Sequence, residues 1–240
     1  MKTFTKLTAI LLLFLTTTSC FVDGLTGIKG NGEVVSEDRT INSNFNEIKV
    51  QQGIQVFLTQ GNSTELKVEA DENIIDLLIT EVKDNELKIY FEKNVNKAKS
   101  RNVYLTANEI SKIRTSSGAM IKTENTLETN TLELDSSSGS SIKVTVNANE
   151  ISSSSSSGAN INVYGKAKLF SASASSGSSI DADKLETINT TAKVSSGANI
   201  DVNVSGKLVA KASSGGSIDY EGNPTEVNKD TSSGGSVSGS

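Results

Sequence analysis

The residues best placed for chemistry are aspartates that recur at a regular step in the second half of the chain. Asp181, Asp201 and Asp219 each directly follow an isoleucine of a repeated pattern, so we expect them to stack in one outward column. Two carboxylates about 5–10 Å apart could hydrolyse a glycosidic bond, and a ladder of them could bind calcium. Lys122 and Lys143 occupy the same column, which leaves calcium binding open. We assign no catalytic, cofactor-binding or metal-binding residue.

The composition removes most other kinds of active site. The 240 residues include no His and no Trp, and the only Cys is Cys20. Sites built on His are therefore excluded, as are disulfide scaffolds and redox Cys pairs. The formal net charge of −5 and the 5% of aromatic residues speak against nucleic-acid binding. The sequence thus predicts a protein that is not an enzyme, needs no cofactor and binds no nucleic acid.

The first twenty residues are typical of an exported lipoprotein. A basic start leads into an apolar run of about nine residues, far short of the roughly 20 that span a bilayer. Small residues then precede Cys20, although Thr17 stands where lipoproteins usually have leucine. We predict a signal peptide over 1–19 and lipid attachment at Cys20, which would make a membrane the partner of the N-terminus. The alternative is an ordinary signal peptide with an incidental Cys.

The second half of the chain is a repeat of 18 to 21 residues. Ser-Ser-Gly recurs seven times, and a β-branched apolar residue stands three positions after each Gly. Alternating apolar residues flank each copy, which indicates short strands with no room for a crossover helix. The sequence therefore predicts an all-β fold, a single parallel β-helix (β-solenoid) with coils of about 19 residues. The predicted inward column is Ile121, Ile142, Ile161, Ile180, Ile200, Ile218 and Val237.

The Ser-Ser-Gly column has a structural explanation. Glycine accepts backbone angles that are closed to other residues, so it can turn the chain at each corner. The following residue is always Ala, Ser or Gly, which predicts a tight inner corner. We expect the stacked Ser side chains to hydrogen-bond along the axis.

The first half of the mature chain continues the same domain. We predict a tether over 20–29 and a β-helix domain over 30–240, with irregular N-terminal coils over 30–115 and Ser-Ser-Gly repeats over 116–240. Ten or more coils are expected, with the irregular first strands capping one end. The apolar run over 73–80 is interpreted as a strand, with a short helical turn as the alternative.

Several segments resemble one family of bacterial proteins. They are Gly30-x-Gly32 with Arg39, Val68–Asn73, the two Ser-Ser-Gly-Ala-Asn-Ile copies and Tyr220–Pro224. The chain is similar over about 30–240 to the auto-transporter adhesins with a head GIN domain, a domain of unknown function that is frequent in lipoproteins. The resemblance implies a right-handed parallel β-helix and a role in adhesion.

Three functions fit these expectations. The first is a non-enzymatic lipoprotein of the bacterial outer membrane, at the cell surface or on the periplasmic side, that binds an extended glycan or protein ligand through a repetitive face. The second is a periplasmic structural or envelope-sensing lipoprotein. A polysaccharide-active enzyme using Asp181 and Asp201 comes third, because fold alone is weak evidence of activity. Ice binding is a minor alternative, since the Ser columns are expected beside the turn and not on a flat strand face.

Overall fold

Strands dominate the computed structural model, which describes residues 27–41 and 43–240. About 64% of the chain is in strands, and these wind into a β-solenoid of about 7 turns with coils of about 19 residues. The predicted all-β solenoid is therefore confirmed. In the described ranges, no helix has both the length and the apolar character needed to cross a membrane.

The described residues form 21 strands and one short 3-10 helix. In chain order they are β1 (Ile28–Lys29), β2 (Val34–Arg39), β3 (Glu47–Val50), β4 (Gln55–Gln60), β5 (Glu65–Asp71), the 3-10 helix (Ile75–Leu77), β6 (Leu78–Lys83), β7 (Glu86–Phe91), β8 (Val95–Lys97), β9 (Arg101–Ala107), β10 (Lys112–Thr115), β11 (Met120–Thr123), β12 (Leu127–Glu128), β13 (Thr131–Ser136), β14 (Ser141–Ser155), β15 (Asn160–Ala174), β16 (Ser179–Val194), β17 (Asn199–Val204), β18 (Lys207–Ala212), β19 (Ser217–Glu221), β20 (Glu226–Thr231) and β21 (Ser236–Gly239).

Two sheets share the core, and we call them the front and back sheets. The front sheet runs β2-β5-β9-β4-β11-β14-β15-β16-β17-β19-β21. The back sheet runs β6-β7-β3-β10-β13-β14-β15-β16-β18-β20. Strands β14, β15 and β16 are long enough to serve both sheets, with their first part in front and their last part behind. Each Ser-Ser-Gly turn joins a back strand to the next front strand.

The front sheet carries the predicted inward column. Ile121 pairs in parallel with Ile142, and the same register continues through every later repeat to Val237. The six isoleucines of the column are fully buried, whereas Val237 at the last strand is only partly buried. Since no coil can bury its apolar face alone, each coil depends on its neighbours for stability. Every residue between two inward ones must then face solvent, because side chains alternate along a strand.

The turns form a second ladder, which is made by the backbone. In each turn both the second Ser (φ 49° to 56°) and the Gly (φ 67° to 76°) have positive φ, as in a type I′ turn. The Gly N–H donates to the carbonyl of the second Ser one coil further on, at 3.1–3.2 Å for six successive turns from Gly118 to Gly215. The predicted tight corner is confirmed, because the residue after the Gly is buried in the first six copies. Side-chain bonds along the axis add to this ladder beside the turns: Ser178 Oγ donates to the Ser155 carbonyl at 2.8 Å, and the Thr115 and Ser136 hydroxyls lie 2.9 Å apart.

An eighth turn of the same kind opens the stack, although it has a different sequence. Gln52 (φ 60°) and Gly53 (φ 69°) repeat the two left-handed residues. Gly53 N–H donates to the Ser117 carbonyl at 3.0 Å, so the turn stacks directly on the Ser-Ser-Gly column.

The N-terminal end differs from the expectation of ten or more parallel coils. Strands β2 and β5 pair antiparallel on the front sheet, β5 is antiparallel to β9, and β6 is antiparallel to β7 on the back sheet. These antiparallel strand pairs close the stack at this end, and the solenoid has about 7 turns. The run over 73–80 is also not one strand: a 3-10 helix over Ile75–Leu77 precedes β6, which begins at Leu78.

A buried carboxylate holds this end together. Asp71 is fully buried and accepts hydrogen bonds from the backbone N–H groups of Gly32, Lys99 and Ser100, each at 2.9 Å. Burial by itself raises the pKa of Asp71, but the three N–H donors outweigh it and hold the pKa below its usual value. Gly30 passes so close to this carboxylate that an added Cβ would overlap it.

Arg39 fastens the short helix to the edge of the front sheet. Its guanidinium donates to the carbonyl of Ile75 at 2.9 Å and to the carbonyl of Leu78. These carbonyls belong to the start of the 3-10 helix and to the residue that follows it. The Ile75 carbonyl also accepts the Leu78 N–H, so Arg39 adds a second donor to it.

Candidate functional site

The outward face of the front sheet presents one continuous row of side chains, one from each of its eleven strands. The pairing register places these residues next to one another across the whole sheet, at about 4.8 Å per strand. We call this line the front row. In spatial order it is Asp38, Lys67, Tyr104, Phe57, Lys122, Lys143, Asn162, Asp181, Asp201, Asp219 and Ser238.

An aromatic pair stands at the N-terminal end of the front row. The rings of Phe57 and Tyr104 stack with centroids 5.1 Å apart and an interplanar angle of 15°. Tyr104 is 41% exposed, so its ring is accessible to solvent in a protein that has few aromatic residues. The pair lines a groove of about 620 Å³ together with hydroxyl and charged side chains from β2, β5 and β9, among them Thr106, Glu65 and Lys67. Aromatic surface combined with a few convergent polar groups is typical of a ligand site.

Two lysines follow the aromatic pair. Lys122 lies beside Phe57 and pairs with Glu124 at 3.1 Å, but both side chains are more than 40% exposed and such a pair contributes little. Lys143 is exposed, and its ammonium lies 5.6 Å from the ring centroid of Tyr164 on the neighbouring strand. This stretch of the row therefore carries two positive charges about one strand apart.

The three aspartates of the predicted column close the row. Asp181 pairs in register with Asp201, and Asp201 with Asp219, so the sequence-based alignment is correct. Burial raises the pKa of Asp201, and the neighbouring carboxylates, Asp219 and Asp181 first, raise it further. Burial, followed by the contact with Asp183, also raises the pKa of Asp181. Across residues 27–41 and 43–240, no three acidic side chains converge in a group that could hold a metal ion.

The outward face of the back sheet has a different character. Ser152 pairs with Ser171, and Ser154 with Ser173, which gives four exposed hydroxyls on two adjacent strands. The Ser-Ser-Gly serines lie at the turns as expected, and these four serines form a second array on a strand face, where serines around Ser152 alternate between inward and outward. No aromatic ring joins these hydroxyls among the described back-sheet pairings.

The structure describes only some of the predicted site residues. Cys20, with the signal peptide over 1–19 and most of the tether, lies outside the described residues. Asp181 and Asp201 lie side by side in one line on a sheet face. The aromatic pair was missed by sequence reasoning, because Phe57 and Tyr104 lie in the irregular half and are separated by four intervening strands. The only sequence signal for this pair was the alternation of inward and outward residues along β4 and β9, which places both rings on an outward face.

The fold and the front row define a class: a two-sheeted parallel β-solenoid that presents a long, ordered side-chain array. The chain belongs to the family described as putative auto-transporter adhesin, head GIN domain, whose model matches residues 44–224. Two of the family segments noted above meet in space, since Asp71 of Val68–Asn73 accepts a hydrogen bond from the Gly30-x-Gly32 segment. No curated protein matches the chain.

Solved structures from Bacteroides and Parabacteroides have the same fold. A putative adhesin from Bacteroides fragilis has a TM-score of 0.84 at 21% identity and covers 89% of this chain and 100% of its own. A putative lipid binding protein from Parabacteroides distasonis has a TM-score of 0.74 at 21% identity, covering 90% and 100%. A putative adhesin from Parabacteroides merdae has a TM-score of 0.68 at 19% identity, covering 89% and 99%. At these identities the similarity establishes the fold.

Proposed function

We propose that this chain is a lipid-anchored, non-enzymatic protein of the cell envelope that binds an extended ligand through the outward face of its front sheet. The observation that carries the proposal is the front row, which crosses eleven strands without interruption. An extended ligand, such as a glycan chain, can contact side chains of several successive strands along such a surface. Membership of an adhesin family supports a binding role at the envelope.

The aromatic groove makes a glycan the favoured ligand. Sugar rings pack on exposed aromatic surface, and hydroxyl and carboxylate side chains such as Thr106 and Glu65 can hydrogen-bond to sugar hydroxyls. An enzymatic role is the weaker reading, because Asp181 and Asp201 stand in one line on adjacent strands. Glycoside hydrolysis needs carboxylates that flank the bond to be cleaved.

Binding to a glycan array, followed by isothermal titration with any glycan that binds, tests the proposal. Tyr104→Ala should weaken binding at least tenfold, in line with an aromatic contact of about 1.5 kcal/mol. Tyr164→Ala is the matched control, because Tyr164 lies on the same sheet face but outside the groove. Saturable binding that both variants lose equally, or that neither loses, would contradict the groove as the site. Absence of binding to any glycan or matrix protein would contradict the function.

Protease shaving of intact cells tests the location. Loss of the protein while a periplasmic control survives would support display at the cell surface. Protection of the protein would favour the periplasmic structural or sensing role.

A further inference from the structure

Over the five strands of the front row centred on Asn162, positive charges lie on one side of this neutral residue and negative charges lie on the other. Asn162 sits on β15, with Lys143 one strand before it and Asp181 one strand after it. Two strands away stand Lys122 on one side and Asp201 on the other. Positive and negative charges therefore lie at equal distances, about 4.8 and 9.6 Å, on opposite sides of Asn162.

The acidic half of the row lacks cationic partners. Within the described ranges no ion pair involves Asp181, Asp201 or Asp219. The three carboxylates instead crowd one another along the axis. The basic half is only weakly engaged, by one exposed ion pair and one cation–π contact. Both halves would gain from charges of opposite sign brought by a partner.

We propose that the front face binds a second copy of this chain, with the two solenoid axes antiparallel. A two-fold axis through Asn162, lying in the interface and parallel to the strands, reverses the order of the row. It sets Lys143 of each copy against Asp181 of the other, and Lys122 against Asp201. A two-fold axis along the solenoid would instead set Lys against Lys and Asp against Asp, which is repulsive. The charge order thus selects one of the two face-to-face arrangements.

The neighbouring row is compatible with close approach. On the turn side of the front row, successive strands carry Ser141, Asn160, Ser179, Asn199 and Ser217. These short polar side chains leave a flat surface, and reversal about Asn160 matches Ser141 with Ser179. Overlap of seven strands by about five residues covers about 500 Å² of each copy, near the lower end for a specific interface. We therefore expect a weak, reversible dimer.

The inference rests on the proposed envelope role for its biological meaning. Antiparallel axes place the N-terminal ends of the two copies at opposite ends of the dimer. If each N-terminus carries a lipid, the pair would join two facing membranes, so that the partner of the adhesin on one cell is the same protein on another.

Sedimentation velocity of the full chain carrying Cys20→Ser tests the pairing without a lipid. The unaltered face should form a concentration-dependent dimer that dissociates as ionic strength rises, because exposed charges are screened by salt. Two double variants sharpen the test. The acidic variant carries Lys122→Asp with Lys143→Asp, and the basic variant carries Asp181→Lys with Asp201→Lys.

Each variant alone should associate at least tenfold more weakly, because the four charged positions on either side of Asn162 then carry one sign only. The equimolar mixture should regain the dimer, since every swapped charge faces an opposite one. Circular dichroism and thermal unfolding confirm that both variants are folded. A chain that stays monomeric up to about 1 mM, variants that dimerise as well as the unaltered face, or a mixture that fails to pair would each overturn the proposal. Glycan binding is tested separately with Tyr104→Ala, because Tyr104 lies on β9 outside the seven overlapping strands. Loss of glycan binding with the dimer kept, or loss of the dimer with glycan binding kept, distinguishes failure of one proposal from failure of the other.

Discussion

At the scale of single residues, side chains act here mainly by completing the backbone around them. Asp71 collects three N–H groups from two separate loops. Arg39 occupies two carbonyls beside a 3-10 helix. The family motifs that contain Asp71 and Arg39 therefore have a role in folding, although Arg39 also lines the aromatic groove.

Asp71→Asn should destabilise the protein at neutral pH by about 1.5–3 kcal/mol, because a charged acceptor of three hydrogen bonds is lost. The folded-state pKa of Asp71 is lowered, so its stabilisation is present above the unfolded value of 3.8 and is lost as the pH falls through the folded pKa. Urea unfolding of variant and wild type should therefore converge in acid. Asp38→Asn, at an exposed position of β2, is the control and should change little. A difference that is independent of pH would argue against this role.

Gly158→Ala should cost about 1–2 kcal/mol in urea unfolding, although an added Cβ would meet no atom within 4 Å. The cost comes from the backbone, since φ is 70° at this residue. Ser157→Gly is the matched control at the preceding residue, which also has positive φ, and it should be close to neutral. Equal losses in both variants would mean that side-chain space or exposure matters, and not the backbone angle.

At the scale of elements, the parallel strands of the repeats could be predicted from the sequence, whereas the antiparallel strands at the N-terminal end could not. The inward isoleucines and the aspartate column follow directly from a 19-residue period. In a parallel stack, residues one period apart in sequence lie next to each other on adjacent strands. The turn at Gln52-Gly53 has the same backbone but different side chains, so no pattern revealed it. The antiparallel pairing of β2, β5 and β6 depends on contacts between strands distant in sequence, and the Phe57–Tyr104 stack follows from that pairing.

Removal of one complete coil, residues 159–177, should leave a folded solenoid. The deletion joins Gly158 to Ser178 and brings Ile142 into register with Ile180, so the inward column and the turn ladder both continue. Stability should fall, because one set of neighbour contacts is lost. Circular dichroism and urea unfolding measure both points. Removal of residues 159–168 is the control, since it breaks the register. If the two deletions unfold alike, the coils are not interchangeable units.

At the scale of the whole molecule, the solenoid holds an ordered set of outward side chains on two faces. Inward residues and turns fix its course, whereas outward residues are free of that task and can be arranged for a partner. The proposed lipid at Cys20 would place the solenoid at a membrane, and the two sheets would then offer a charged front and a serine-rich back.

Cys20→Ser should release the protein from the membrane fraction of the cell of origin. A lipid on this residue would hold the protein through its acyl chains, at about 0.8 kcal/mol per buried CH₂. Fractionation with immunoblotting, together with labelling by a tagged fatty acid, measures the effect. Substitution of Ser19 by Ala, which keeps the Cys, is the control. Membrane retention and labelling of the Cys20→Ser protein would contradict the anchor.

The direction of the turn ladder has a mechanical consequence. Hydrogen bonds between coils point along the solenoid axis, from Gly N–H to the carbonyl one coil further on. A pull along that axis, as between two joined cells, would load the bonds of one coil boundary at a time. We expect the chain to lengthen in steps, each releasing about 19 residues, or about 65 Å of extended chain. Single-molecule force spectroscopy would show evenly spaced peaks, and a single all-or-none rupture would exclude this. Such a protein would yield gradually under tension and lengthen before it lets go.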